Sequence, residues 1–261
     1  MWNKSAIAVL LAGLVTLSGC TTMADLAGAD TQSLNAMSAK AFNETIVKAQ
    51  ADRTLDTSSN TYRRVNAVFL RMKPYADQLN QTGAPFDWKL AVLKSNTMNA
   101  YVAPGGKVVF YTAIVEKVKL TDNEIAAIMG HEMTHALEEH SKSKIGAQAL
   151  TSLAIGIGSS YAAGAGAGNL GSALELGGLV GVGLPYSRSL ESRADVGGLM
   201  LMARAGYDPK AAVTLWEKME KMDGAQGSSF LSTHPANSKR IDDMRKNLPA
   251  AQQIYNASSR R

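Results

Sequence analysis

The chain has 261 residues, of which 46% are hydrophobic and 19% are charged, and its formal net charge at pH 7 is +5. Because the basic residues form no Lys/Arg block, this mild charge indicates no nucleic-acid partner. The length suits one domain with a sizeable core, and the single cysteine excludes a disulfide within the chain.

The first twenty residues are typical of an exported bacterial lipoprotein. Lys4 precedes an apolar run, Ala6 to Leu17, that is too short to span a membrane. Leu17-Ser18-Gly19-Cys20 follows and resembles the lipobox, in which the cysteine is lipidated and becomes the mature N-terminus. Thr21 stands where an Asp would favour the inner membrane, so the resemblance favours an outer-membrane anchor. The alternative is an ordinary secretory signal beside an incidental cysteine.

The first half of the chain predicts helices followed by a small sheet. Apolar residues recur at helical spacing through residues 31–82, with a break at Thr57-Ser58-Ser59-Asn60. Pro104-Gly105-Gly106 is a turn signal between two β-prone segments. We predict a mostly antiparallel sheet with strands at 88–93, 99–103 and 107–111.

The second half of the chain predicts helices. Thr121 and Glu124 form a T-x-x-E capping box, so a helix is expected to begin at Asp122 and to run to about His140. Further helices are predicted at 189–204, from Pro209 and from Pro235. Gly, Ala and Ser dominate residues 155–184. This segment is predicted to be either a flexible loop or loose helical hairpin, or a mobile lid or membrane-touching flap over the functional site.

The H-E-x-x-H string His131-Glu132-Met133-Thr134-His135 is the most specific motif. On a helix, the two histidines lie about 40° apart around the axis, so both rings can reach one metal ion. Glu132 is then placed to act on a metal-bound water. The motif predicts one Zn²⁺ per chain with His131 and His135 as metal ligands.

A catalytic zinc needs a third protein ligand. A metzincin would carry glycine at 138 and histidine at 141, but the chain has Glu138 and Ser141 there, which excludes that class. His140 lies about 140° further round the same helix than His135, which favours a structural or supporting role.

Two glutamates compete for the third position. Glu139 belongs to the same helix as the histidines and would close a tetrahedral site poorly. Glu191 begins a later helix, with Asp195 four residues on, on the same face. We favour Glu191 as the ligand and Asp195 as the acceptor for the N–H of a zinc-bound histidine.

Four motifs in this order resemble the zinc metallopeptidase family of the CAAX prenyl endopeptidase, HtpX and LoiP type, most closely its periplasmic lipoprotein type. The resemblance covers residues 60–248. The motifs are Asn99-Ala100-Tyr101 with Pro104-Gly105-Gly106, His131-Glu132-x-x-His135, Glu191-x-x-x-Asp195, and His234-Pro235 with Arg240.

The resemblance implies roles for the outlying motifs. His234 would stabilise the oxyanion of the tetrahedral intermediate, with Arg240 in support. Asn99, Ala100 and Tyr101 would lie on an edge strand to which the substrate backbone adds. The implied fold is α+β and mainly α-helical, a zincin-like gluzincin domain with a small sheet.

The predicted function is zinc-dependent hydrolysis of peptide bonds in unfolded or misfolded envelope proteins, with Glu132 as general base. The alternative is an outer-membrane chaperone or assembly factor that binds extended peptides and cleaves little. Expected partners are protein substrates, the membrane through a lipid on Cys20, and other envelope proteases or assembly factors. The predicted organisation is a signal peptide, a lipidated tether, one metallopeptidase domain and a flexible tail, at residues 1–19, 20–30, 31–250 and 251–261.

Overall fold

A computed structural model describes residues 20–150, 186–226, 229–235 and 237–258. The helices are α1 (residues 20–26), α2 (Thr31–Ala51), α3 (Asn60–Leu79), α4 (Thr112–Lys117), α5 (Asp122–Leu137), α6 (residues 140–150), α7 (Arg188–Arg204), α8 (Lys210–Gln226), α9 (Ser229–Thr233) and α10 (Ser238–Ser258). The strands are β1 (Leu55–Asp56), β2 (Lys89–Leu93), β3 (Ala100–Ala103) and β4 (Lys107–Tyr111). The predicted signal peptide and insert 155–184 lie outside these ranges. The predicted α+β, mainly helical class is confirmed.

The sheet is mixed, with the strand order β1-β2-β4-β3. The outer pairs β1–β2 and β3–β4 are antiparallel, whereas the central pair β2–β4 is parallel. Gly105 and Gly106 connect β3 to β4 with φ of 72° and 81°, a left-handed conformation that glycine adopts at little cost. The three predicted strands are confirmed, and β3 lies at the edge of the sheet. The two-residue β1 was not predicted, because it is too short to show a period.

The main core lies between one face of the sheet and the helices α3, α5, α7, α8 and α10. Phe110, Ile114, Ile125 and Met129 are among its fully buried side chains. The other sheet face packs against α2 in a smaller cluster that includes Phe42 and Val109. Because α5 is buried on nearly every side, the residues of the H-E-x-x-H motif stand inside the core rather than on the surface.

Helices α5 and α7 touch through glycines. A Cβ added at Gly198 would lie 2.5 Å from the backbone nitrogen of His131, and one added at Gly130 would lie 2.7 Å from the Gly198 carbonyl oxygen. Any larger residue at either position would push the helices apart. This close approach brings the first turns of α7, which carry Glu191 and Asp195, within reach of the α5 histidines.

The structure differs from the expectations where elements end. α5 ends at Leu137, and Glu139 adopts a φ of 50°, so α6 starts in a new direction instead of continuing the same helix to His140. The predicted flexible tail is helical, since α10 continues to Ser258, and Ala251 is fully buried. No described helix is long and apolar enough to cross a bilayer.

The predicted tether is also partly ordered. Residues 20–26 are helical, and Ala24 and Ala29 are buried beside Leu34 and Ile145. Asp25 forms a 2.7 Å salt bridge with Lys142 of α6. The small residues of this segment therefore pack against α2 and α6.

Candidate metal centre

Two helices and one loop bring four potential metal-binding side chains together in the core. His131 and His135 come from α5, Glu191 from the first turn of α7, and His234 from the loop after α9. All four are buried, and one ligand atom from each lies within 4.8 Å of the others. The sequence-predicted ligands His131, His135 and Glu191 are thus brought to one point.

The spacing of these atoms fits one zinc ion. Zinc bound tetrahedrally at about 2.0–2.1 Å holds its ligand atoms roughly 3.3 Å apart. The Nε2 atoms of His131 and His135 are 3.0 Å apart. Glu191 Oε2 lies 3.4 Å from His131 Nε2, and Glu191 Oε1 lies 3.5 Å from His135 Nε2. Two imidazoles and a carboxylate at these distances form the donor set of a catalytic zinc site.

Asp195 and Arg240 stand directly behind His131. His131 Nδ1 is 3.0 Å from Asp195 Oδ1. Arg240 donates to both carboxylate oxygens of Asp195, at 2.6 and 2.7 Å, and its Nη2 also lies 3.0 Å from Glu191 Oε2. The guanidinium is fully buried and lies 4.0 Å from the ring centroid of Trp216. Asp195 and Arg240 are therefore both brought to the cluster, and Arg240 connects α10 to it.

The ligands differ in their protonation. Burial opposes a charge on His131, but hydrogen bonds to Asp195 and Glu191 outweigh it and raise the pKa of His131 to about 9 in the protein without metal. Burial lowers the pKa of His135 well below its usual value. Burial also acts to raise the pKa of Glu191, yet hydrogen bonds with the three histidines hold that pKa well below the usual range. Glu191 is thus ionised and His135 neutral.

Glu132 is a buried carboxylate beside this cluster. Its Oε1 has no hydrogen-bond partner among the described residues and lies 3.4 Å from His234 Nε2, outside hydrogen-bond geometry. Burial raises the pKa of the Glu132 carboxyl above its usual value. The backbone of Val102 in β3 opposes this rise in the pKa. A buried carboxylate oxygen that is free to accept a proton suits a general base.

His234 lies closer to the ligands than the sequence predicted. Its Nδ1 is 3.0 Å from Glu191 Oε1 and 3.2 Å from His131 Nε2, and its Nε2 faces Glu132. The sequence predicted an oxyanion donor, and the same ring is also placed to be a fourth metal ligand. These two roles have opposite consequences for catalysis, because a fourth ligand leaves no open position.

The positions of His140 and Glu139 are the reverse of those that the helical spacing suggested, since His140 contacts a predicted ligand and Glu139 does not. The ring of His140 turns back toward the site, with its Nδ1 2.8 Å from Nδ1 of His135, because Glu139 breaks the helix. Burial lowers the pKa of His140. Glu139, the rival third ligand, instead accepts a 2.6 Å hydrogen bond from Thr31.

The predicted substrate strand is present, but its side chains point to different places. Asn99 precedes β3 and binds the backbone N–H of Ala100. Ala100 and Val102 face the main core, whereas Tyr101 packs on the opposite face near Tyr111. Any contact of Tyr101 with a substrate at the metal centre would therefore be made by its backbone.

Two aromatic residues at the site were not predicted. Tyr186, directly after the Gly/Ala-rich segment, stacks on His135 with ring centroids 4.1 Å apart, and its hydroxyl lies 2.9 Å from that of Ser141. Trp216 covers Arg240. Trp216 lies on α8, and neither residue belongs to a motif that marks it as part of the site.

Comparison with known proteins agrees with this geometry. The model of Peptidase family M48 matches residues 59–248. The chain is 28% identical over 255 residues to the metalloprotease LoiP of Escherichia coli, which covers 94% of this chain and 97% of LoiP. It is 24% identical to the metalloprotease YcaL of the same organism, with 95% and 98% covered.

Eukaryotic proteins are similar over part of their length. The chain is 35% identical over 225 residues to the mitochondrial metalloendopeptidase OMA1 of Schizosaccharomyces pombe. The match covers 83% of this chain and 61% of that protein, so the chain spans less than two thirds of this relative.

Proposed function

Since the chain belongs to peptidase family M48, we propose that it is a zinc metalloendopeptidase that cleaves unfolded or misfolded proteins of the bacterial cell envelope. The observation that carries the proposal is the convergence of His131, His135 and Glu191 beside the buried carboxylate of Glu132. Structural zinc sites are closed by four ligands and have no use for a base at this position. The names of the relatives, metalloprotease and metalloendopeptidase, support the same reaction class.

The residues divide the work of peptide hydrolysis. Zinc, when bound, would lower the pKa of a water and polarise the scissile carbonyl. Glu132 would accept a proton from the attacking water and later deliver it to the leaving amine. Its raised pKa supports this role, because a base that must release its proton again works best with a pKa near the working pH.

Substrate is proposed to bind along β3. Among the described strands β3 pairs only with β4, so one edge of its backbone can take up an extended peptide. The packing of α5 against β3, where the backbone of Val102 acts on the pKa of Glu132, supports a position of this strand next to the general base. Asn99, Ala100 and Tyr101 begin the strand and would contact the substrate mainly through backbone groups.

His234 is proposed to donate a hydrogen bond to the developing oxyanion, with Arg240 holding Glu191 and Asp195 in place behind it. The position of the His234 ring between Glu191 and Glu132 supports the proposal. We expect His234→Phe to lower kcat/KM about 10²–10³-fold, the usual loss for one oxyanion donor, with zinc retained. If this variant cleaves faster than wild type, His234 is instead a fourth ligand that blocks the site.

The location is proposed to be the periplasmic side of the outer membrane, with a lipid on Cys20. The lipobox-like sequence before Cys20 supports this, and so does the absence of any other cysteine. We expect Cys20→Ala to move the protein from the membrane fraction to the soluble fraction. A Cys20→Ala variant that stays with the membrane would contradict the lipid anchor.

Cleavage of a labelled unfolded protein by the purified chain tests the proposed reaction. We expect cleavage that a chelator stops and zinc restores. Glu132→Gln should retain one zinc and lose about 10²–10⁴-fold in kcat/KM, because the amide cannot accept the proton. The matched control is Glu217→Gln, the same change at a pair with Arg245 on the surface of α8, which should leave activity unchanged.

The outcomes separate the protease from the chaperone. Turnover retained in Glu132→Gln would refute the mechanism. A wild type that prevents aggregation of the unfolded protein equally well with and without zinc, and does not cleave it, would favour the chaperone or assembly factor.

A further inference from the structure

His140 is a buried residue next to the metal centre for which peptide hydrolysis has no evident need. Its ring is fully buried. Nδ1 lies 2.8 Å from Nδ1 of His135, and Nε2 lies 3.0 Å from Oε2 of Glu138. Arg193 donates from Nε to the same oxygen of Glu138, at 2.6 Å. Both ring nitrogens of His140 are therefore engaged, one by a metal ligand and one by a carboxylate.

Glu138, His140 and His135 form a row of hydrogen bonds, and the carboxylate of Glu138 at one end sets the direction of each bond. A carboxylate oxygen accepts, so the Nε2 of His140 carries the hydrogen that it donates to Glu138. In a neutral imidazole the other nitrogen is then an acceptor. Nδ1 of His140 must accept from Nδ1 of His135, which leaves the lone pair of His135 on Nε2. That nitrogen faces His131 and Glu191 at the centre of the cluster.

We propose that His140 is a positioning residue that holds His135 in the tautomer able to bind the metal, through the row Glu138–His140–His135. The inference rests on the metal-binding part of the proposed function. It adds a second supporting arm to the one that Asp195 supplies to His131. A histidine ligand commonly donates its remote N–H to a carboxylate, a backbone carbonyl or water. Here a second imidazole stands between the ligand and the carboxylate.

The backbone explains how this contact arises. Had α5 continued, His140 would point away from His135, since five residues correspond to about 140° of rotation. The left-handed conformation of Glu139, at φ 50°, ends the helix and returns the ring of His140 to His135. Tyr186 covers a face of the His135 ring. Together these contacts leave the ligand ring little freedom to rotate.

Zinc affinity of the metal-free protein, measured by competition with a chromophoric chelator, tests the proposal without reference to activity. His140→Phe keeps an aromatic ring but removes the hydrogen-bond acceptor for His135. We expect about 10–100-fold weaker zinc binding, the usual loss when a residue that hydrogen-bonds to a metal ligand is replaced. His140→Asn can place an amide oxygen near the former Nδ1 position. We expect this variant to stay within about threefold of wild type, because the acceptor is restored.

Ile145→Ala is the matched control for loss of packing. Ile145 is buried on the same helix, α6, and is in a separate cluster with Ala24, Ala29 and Leu34. We expect it to lower the midpoint of thermal unfolding and to leave zinc affinity unchanged. Zinc binding weakened as much by Ile145→Ala as by His140→Phe would mean that packing alone is responsible, and the proposal would be wrong.

Nitrogen-15 NMR of histidine rings supplies a second test, which reads the tautomer of His140 in the wild type itself. We expect His140 to carry its hydrogen on Nε2, with the signals assigned by their loss in His140→Asn. A hydrogen on Nδ1 of His140 would overturn the proposal, as would equal zinc affinity in His140→Phe and wild type, or equal losses in the Phe and Asn variants. A wild type that binds no zinc would instead refute the proposed function itself.

Discussion

The two histidines proposed as ligands stand one turn apart on the same helix, yet their surroundings support them in different ways. His131 is supported by Asp195 from α7, which Arg240 from α10 grips with two hydrogen bonds. His135 is supported by His140, the residue that begins the next helix. The first arm is charged and joins three helices. The second arm begins with a neutral ring, and the row Glu138–His140–His135 lies within residues 135–140 of the chain.

This difference predicts different costs of failure. A buried ion pair that loses one partner leaves an uncompensated charge in the core, which typically costs about 3–5 kcal/mol. A neutral buried hydrogen bond that loses one partner costs about 1–3 kcal/mol. The charged arm should therefore govern folding as well as metal binding, whereas the neutral arm should mainly govern metal binding.

The largest effect is expected at Glu191, the proposed ligand that lies beside both histidines. Glu191 lies within 3.5 Å of both His131 and His135. Glu191→Ala removes one of three ligands, and we expect zinc content to fall from one ion per chain to nearly none in metal analysis. Glu217→Ala, at the surface pair with Arg245, is the control that should keep its zinc. A full zinc complement in Glu191→Ala would refute the ligand assignment.

Arg240→Met breaks the charged arm without replacing a proposed ligand. Asp195 and Glu191 then remain buried without their cation, so we expect the free energy of unfolding of the metal-free protein to fall by about 3–5 kcal/mol in urea titrations. Arg245→Met, on the same helix but with a half-exposed side chain, should cost less than about 1 kcal/mol. An equal decrease in the free energy of unfolding in the two variants would show that the buried Arg240 ion pair stabilises the protein no more than the exposed Arg245 pair.

The two arms should also differ in the protons that zinc displaces. The pKa of His131 is raised to about 9, so its ring is charged at pH 7 and must lose a proton to bind the metal. His135, whose pKa is lowered, has none to lose. We expect calorimetry in buffers of different ionisation enthalpy to give about one proton released per zinc at pH 7, and fewer as the pH passes 9.

The same shift predicts how the metal-free protein responds to pH. A raised histidine pKa contributes stability that is fully present below the unfolded value of 6.5 and is lost as the pH rises through about 9. Thermal unfolding should therefore occur at lower temperature at pH 9 than at pH 7. Asp195→Asn removes the main hydrogen bond that raises this pKa, so it should reduce both the proton release and the pH dependence.

Those parts of the site that depend on local sequence could be predicted. The capping box at Thr121 and Glu124 is present in the structure, and it puts His131 and His135 on one helix. Glu191 and Asp195 are brought to these histidines, as their spacing at the start of a helix suggested.

Features that depend on one backbone torsion or on distant packing could not be predicted. The contact between His140 and His135 requires the positive φ of Glu139, and glutamate is not a residue type that predicts a positive φ. The parallel pairing of β2 with β4 depends on which strand enters the middle of the sheet. The entry of His234 into the ligand cluster likewise depends on where α9 and α10 pack.

The smallest effect is expected at the outer end of the neutral arm. Arg193 is 44% exposed and pairs with Glu138, which keeps its contact with His140 when the arginine is removed. Arg193→Ala should therefore cost less than about 1 kcal/mol of unfolding free energy and leave zinc affinity within about threefold. A loss as large as that of Arg240→Met would mean that charge supports both ligands equally, and the distinction between the two arms would be wrong.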